Sequence, residues 1–179
     1  EKLMKLKNII LCLMLFFTTN LIAETNSIGD VNLGKTEQSK AFIQMKRMLG
    51  EWSGKLYQES GAVVETYSNF RLVSNGNSIV ETLIEDGVEM MTTYSDKDGE
   101  LVIKHYCALG TEPMFVVSSL DENSIQLMSD PSPGYHPEKH NFVKTMGWTF
   151  TDNDAVRVDA TLHIDGELQT QYSIIERVN

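Results

Sequence analysis

The chain has 179 residues and carries 15 Lys and Arg against 25 Asp and Glu, a formal net charge of −10 at pH 7. That balance excludes the Lys/Arg-rich surfaces that nucleic acid and anionic membranes select, so neither is expected as a partner. The length suits one domain with a real hydrophobic core and leaves no room for a modular protein.

At the N-terminus, Lys2, Lys5 and Lys7 precede an apolar run from Ile9 to Phe17, a polar break at Thr18-Thr19-Asn20, and Leu21-Ile22-Ala23. This order predicts a signal peptide over residues 1–23, cleaved after Ala23, and an exported chain that is periplasmic or secreted. The apolar run falls short of the roughly 20 residues of a membrane span, so no integral membrane association is expected after cleavage. An uncleaved anchor is the alternative. Cys12 lies inside the run, which gives no lipid-attachment pattern, and removal of the segment leaves Cys107 alone. A lone thiol forms no intrachain disulfide; it is either buried and inert or exposed and open to pairing between chains. Free cysteine is among the most buried residue types, which favours the first.

Residues 24–35 are polar, without period, and read as a flexible leader; the domain proper is expected over residues 36–179. Its opening is its most informative stretch. Phe42, Met45, Met48 and Leu49 fall on one side of a short helix, Gly50 ends it, and Trp52 follows as the first strand starts. A tryptophan placed there plugs the floor of a small barrel.

From Gly50 onward, short alternating segments are punctuated by turn residues such as Glu85-Asp86-Gly87, Asp98-Gly99 and Asp165-Gly166. The spacing predicts strands over 50–58, 62–73, 78–85, 88–95, 100–108, 113–120, 123–129, 140–150, 155–164 and 167–178. The fold class is all-β: a closed antiparallel up-and-down barrel of about ten strands with one short N-terminal helix, closure removing the vulnerable edges. Alternation puts Leu101, Ile103, His105 and Cys107 on one face, with Val102, Lys104 and Tyr106 opposite. It also groups His140, Phe142, Lys144, Met146, Trp148 and Phe150, and sets Val156, Val158, Ala160 and Leu162 against Arg157, Asp159, Thr161 and His163. The apolar-rich faces are expected inside. Residues 130–140, with three prolines and two histidines, form the one long irregular loop, read either as a cap over the barrel mouth or as a solvated connection.

With the helix, the Gly50-Glu51-Trp52 start and the ten-strand pattern together, residues 36–179 resemble the calycin superfamily of lipocalins, fatty-acid-binding proteins and nitrobindin-like barrels. In the lipocalin opening the tryptophan packs against an arginine of the closing strand, and the resemblance assigns that structural role to Trp52 and Arg177. The segment from Ile103 to Met114 is also similar to uncharacterised exported bacterial proteins carrying His-Tyr-Cys, then Gly and Pro, as here in His105-Tyr106-Cys107, Gly110 and Pro113. This chain has Thr111-Glu112 where that group carries Asn-Gln.

Candidate chemistry is sparse. Haem in a nitrobindin-like barrel needs a histidine on the closing strand, and residues 167–178 have none. The pool for zinc, His105, His136, His140 and Cys107, matches no metal-ligand spacing. His105 and Cys107 sit about 6–7 Å apart along one strand, too far for a thiol–imidazole pair. Glu65, Glu81 and Glu89 lie on strands with nothing to bring a pair together. No cofactor, metal or catalytic residue is therefore expected. The methionines and aromatics suit either a soft apolar cavity or an ordinary packed core. The candidate ligand-binding residues are His105, Tyr106, Cys107, Met114, Phe142, Lys144, Met146 and Trp148, with His105, Tyr106 or Lys144 anchoring a polar headgroup. The expected function is non-catalytic binding of a small hydrophobic or amphipathic molecule in the lumen. The alternatives are an enzyme using lumen His and Glu as acid and base, and an envelope interaction protein with a filled barrel.

Overall fold

A computed structural model describes residues 27–34, 36–131, 134–152 and 154–178. The signal-peptide reading of residues 1–23 lies outside them. Two units are distinguished, with the division after Leu33. In the first, β1 (Ser27–Ile28) and β2 (Val31–Asn32) form a small antiparallel hairpin, with Gly29 at φ +59° in its turn. Order thus appears within a stretch whose sequence shows no period.

The second unit is a closed antiparallel barrel of ten strands. They are β3 (Gly50–Gln58), β4 (Val63–Val73), β5 (Ser78–Glu85), β6 (Val88–Lys97), β7 (Glu100–Tyr106), β8 (Met114–Asp121), β9 (Ser124–Ser129), β10 (Phe142–Phe150), β11 (Ala155–Ile164) and β12 (Glu167–Arg177). Each pairs with its sequence neighbour, and β12 pairs with β3 to close the ring. Turn chemistry enforces the up-and-down order. Asp86-Gly87, Asp98-Gly99 and Asp165-Gly166 each hold two successive positive φ angles, the backbone of the tight hairpin turn that Asp-Gly favours. Closure itself needs Gly54: a Cβ there would lie 1.9 Å from the carbonyl oxygen of Ile174 across the β3–β12 seam.

One end of the barrel is sealed by a single helix. Ser39 caps α1 (Lys40–Met45), its Oγ accepting from the Phe42 N–H at 3.0 Å, while its own hydroxyl donates to Asp96 on β6 at 2.6 Å. A 3-10 turn, Lys46–Met48, follows. Phe42, Met45 and Met48 are fully buried, and Leu49 packs beside them. Beneath lie Ile79, Tyr94, Leu101, Ile103, Phe115, Ile125 and Leu127, a dry floor in which each large side chain contributes roughly 1.5–3 kcal/mol. Trp52 sits in that floor with no exposed surface and donates from Nε1 to the Met48 carbonyl at 2.6 Å. The guanidinium of Arg177, its cross-strand neighbour, stacks 4.3 Å from the indole. It also donates to the carbonyls of Leu49 at 2.7 Å and Arg47 at 3.0 Å, and to Asp154 at 3.1 Å. One arginine therefore ties helix, first strand and last strand together.

The inward faces of β7 and β11 are those the alternation predicts. In β10 the predicted face holds for Met146, Trp148 and Phe150 and fails before them. A bulge between Val143 and Thr145, opposite Leu162 and Thr161, shifts the alternation, so Val143, Met146, Trp148 and Phe150 are buried within the barrel while Phe142 faces out. There Phe142 stacks on Tyr135 at 5.5 Å and lies 5.1 Å from the His163 ring. His163 is consequently buried on the outer surface rather than open to water, and burial together with the nearby Lys144 charge lowers its pKa.

Candidate functional site

Away from the helix, the lumen opens into a cavity of about 430 Å³, within the range of small-molecule sites. Its rim is formed by the β3–β4 turn, with Glu59 and Ser60, the β5–β6 turn, with Asp86, the β7–β8 loop, with Ala108 and Leu109, and the start of β12. The side chains lining it differ by sector. On β10 and β11, Val143, Met146, Trp148, Val158, Ala160 and Leu162 make an apolar wall. On β3, β4 and β12 the lining is mixed, neutral polar Gln58, Thr66, Ser68 and Gln171 beside apolar Leu56, Val64 and Phe70. Between them, β5 and β7 contribute Glu81, Glu85, His105 and Cys107.

Register sets the polar cluster. Phe70, Glu81, Thr92 and His105 lie side by side across β4, β5, β6 and β7. Glu81, only 4% exposed, accepts from Ser68 Oγ at 2.9 Å and from the Tyr94 hydroxyl at 2.5 Å. Thr92 Oγ1 and His105 Nδ1 share a hydrogen bond of 3.0 Å. Among the described residues no hydrogen bond reaches His105 Nε2, so that nitrogen is left to the cavity the ring lines.

The electrostatics follow from burial. Desolvation raises the Glu81 pKa above the ordinary carboxyl value, and its hydroxyl donors only partly offset that. Glu85, nearer the mouth, is pushed up to about 7 by burial and by the Glu81 charge. Burial lowers His105 to about 4, so it is neutral at physiological pH. Burial also raises the half-buried Cys107 thiol, which reduces its thiolate character.

The Glu85 shift predicts a pH signature. Between 4.5 and about 7 the folded protein holds a proton that the unfolded chain has released. Stability therefore falls as pH rises through that window and levels off above it. Glu85→Gln is expected to match the parent below pH 4.5 and to exceed it by about 2–3 kcal/mol above pH 7, read from denaturant titrations across pH. A constant offset at all pH values would show that Glu85 titrates normally.

Of the eight candidate ligand-binding residues, four line the cavity: His105, Cys107, Met146 and Trp148. The other four do not. Tyr106 is exposed on the outer face, where Lys104 lies over its ring. Met114 pairs with Lys104 on that same outer face. Phe142 and Lys144 are placed outside by the bulge. Lys144 therefore anchors no headgroup in the lumen. The histidines of the long loop are also elsewhere: His136 donates from its backbone N–H to His140 Nδ1 at 3.1 Å. No described residue of that loop lines the cavity. Tyr135 stacks on Phe142 and accepts from the Glu112 N–H at 2.8 Å, so this part of the loop lies along the barrel wall. Among the described residues no three or more His, Cys, Asp or Glu converge as metal ligands.

The reading of the sequence missed Glu81, Glu85 and Ser68 as cavity residues. Glu65 and Glu89, weighed alongside Glu81, face solvent, Glu65 beside Lys55 at 3.5 Å.

No family model matches the chain, and no curated protein matches it. Among solved structures it is similar to a protein of unknown function from the DUF3598 family of Nostoc punctiforme, with a TM-score of 0.56 and 13% identity over 75% of this chain and 49% of that one. The chain thus spans about half the length of that protein, and the likeness is one of fold. Weaker matches are a redesigned β-barrel, at TM-score 0.39 and 12% identity over 75% of this chain and 94% of that one, and a redesigned barrel bound to DFHBI. The latter has a TM-score of 0.38 and 13% identity over 74% of this chain and 96% of that one.

Proposed function

We propose that this chain is an exported, calycin-like barrel that binds a small amphipathic molecule in its lumen and does not transform it. The observation that carries the reading is the cavity of about 430 Å³, open at the end away from the helix, with an apolar lining on β10 and β11 and polar groups on β4, β5 and β7. Such a lumen accommodates a guest with one apolar and one polar part. Export rests on Lys2, Lys5, Lys7 and the apolar run that follows.

Native mass spectrometry of the protein purified from its own host, followed by denaturing extraction, tests this. The expected result is a stoichiometric amphiphile released on unfolding. Protein that arrives empty, and that takes up no amphiphile from a panel spanning acids, amines and alcohols, would sink the reading.

The Glu81, Thr92 and His105 row supports a second reading, an enzyme with His105 and Glu81 as base and acid. It requires that the extracted guest be converted by the parent protein and left intact by His105→Gln.

A further inference from the structure

We infer that the guest carries an organic cation, a protonated amine or quaternary ammonium, which sits beside Glu81 while its apolar body lies along the β10–β11 wall. The inference rests on the lumen-binding reading and adds the sign of the guest's charge.

Glu59, Glu81, Glu85 and Asp86 line the cavity, and no described Lys or Arg does. Three cations of the barrel are engaged elsewhere: Lys104 with Glu112 at 2.9 Å, Arg157 with Asp159 at 2.6 Å, and Arg177 with the floor carbonyls. A buried carboxylate is costly unless a positive group pairs with it. Glu81 escapes that cost either as the neutral acid, which burial favours, or beside a cation, and with no described Lys or Arg in the cavity that cation would come from the guest.

Glu81 is arranged as an acceptor. Ser68 and Tyr94 each donate to one of its oxygens, the pattern that stabilises a carboxylate once a cation arrives. Phe70, its direct neighbour on β4, also lines the cavity, and aromatic faces favour cations. His105 offers Nε2 as a neutral hydrogen-bonding group on a ring that lines the same space. Glu85 lies four residues along β5 toward the mouth, so a cation entering from the rim passes one acid before reaching the next. A fatty acid has the opposite requirement: its carboxylate would meet four acidic side chains and no positive one.

The test is isothermal titration of the purified protein with n-decylamine, n-decanol and sodium decanoate, which share a chain and differ in head charge. Decylammonium is expected to bind at least about tenfold tighter than decanol, the gain of a charge-assisted contact, and decanoate weakest. Glu81→Gln is expected to erase the amine–alcohol gap, and Glu85→Gln to narrow it several-fold.

A pH series on the unaltered protein gives an answer that does not depend on any variant folding. The groups facing the cation are Glu81 and Glu85 on β5, Tyr94 on β6, His105 and Cys107 on β7, and Glu59 and Asp86 at the rim. Of these, Glu85 ionises near 7, and His105 is already neutral there. Affinity for decyltrimethylammonium, whose charge cannot titrate, is therefore expected to rise with pH through about 7. Equal binding of amine and alcohol, or a flat pH profile, would overturn the cationic guest while leaving lumen binding intact. Tightest binding of decanoate would do the same. Failure of all the probes to bind would overturn both.

Discussion

Trp52→Ala is expected to remove about 3–5 kcal/mol of folding free energy, seen as a lower denaturant midpoint with an unchanged slope. The indole has no exposed surface, and its space cannot be refilled by neighbours that are themselves pinned. Met48 is packed without exposed surface under the helix, and Arg177 is held by the carbonyls of Arg47 and Leu49. Domains have only about 5–15 kcal/mol in total, so the variant is left marginal. Trp52→Phe keeps an aromatic plug and loses the bond to Met48; it is expected to cost about 1–3 kcal/mol, because the Met48 carbonyl stays buried without its donor. In a double-mutant cycle with Arg177→Ala, a coupling of about 0.5–3 kcal/mol is expected from the stacked pair. Independent effects at the two positions would mean the arginine holds the helix without supporting the tryptophan.

The strands were legible because two signals coincide in them. Period-2 alternation marks most of them, and turn residues, with Asp-Gly at three connections, mark where the chain must reverse, so boundaries fall within a few residues of those observed. Phe42, Met45, Met48, Leu49 and Trp52 were legible as a helix running into a plugged floor for a similar reason, since spacing and the terminating glycine agree. What alternation cannot report is an extra residue in a strand. Lys144 sits in the β10 bulge, and everything before it changes face, which displaced both Phe142 and Lys144 from the expected lumen. Nor could alternation choose a face for β5. Ile79 and Leu83 share a side with Glu81 and Glu85, while Val80 and Ile84 occupy the other, so hydrophobicity is nearly balanced. Pairing with β4 and β6 decides it, and that information lies in other strands. The acids that define the cavity were hidden by that balance.

Ala160→Phe is expected to weaken guest binding about a hundredfold and leave the fold intact. Ala160 lies mid-strand on β11 between Met146 and Gln171, with its side chain toward the cavity. A phenyl ring there projects into open lumen rather than into packed atoms, so overpacking strain is avoided and the added apolar burial contributes up to about 1 kcal/mol. The same ring occupies the wall on which the guest's apolar body would lie. Excluding three or four methylene groups, at about 0.8 kcal/mol each, weakens binding by roughly a hundredfold. Thr161→Phe is the control, because the next residue points away from the lumen and pairs with Thr145 and Thr170. It is expected to leave decylammonium affinity unchanged. Loss of binding in both variants would trace to general damage. Retention in both, with Ala160→Phe folded and its ring in the cavity, would move the binding site to the outer face and return weight to a surface-interaction protein.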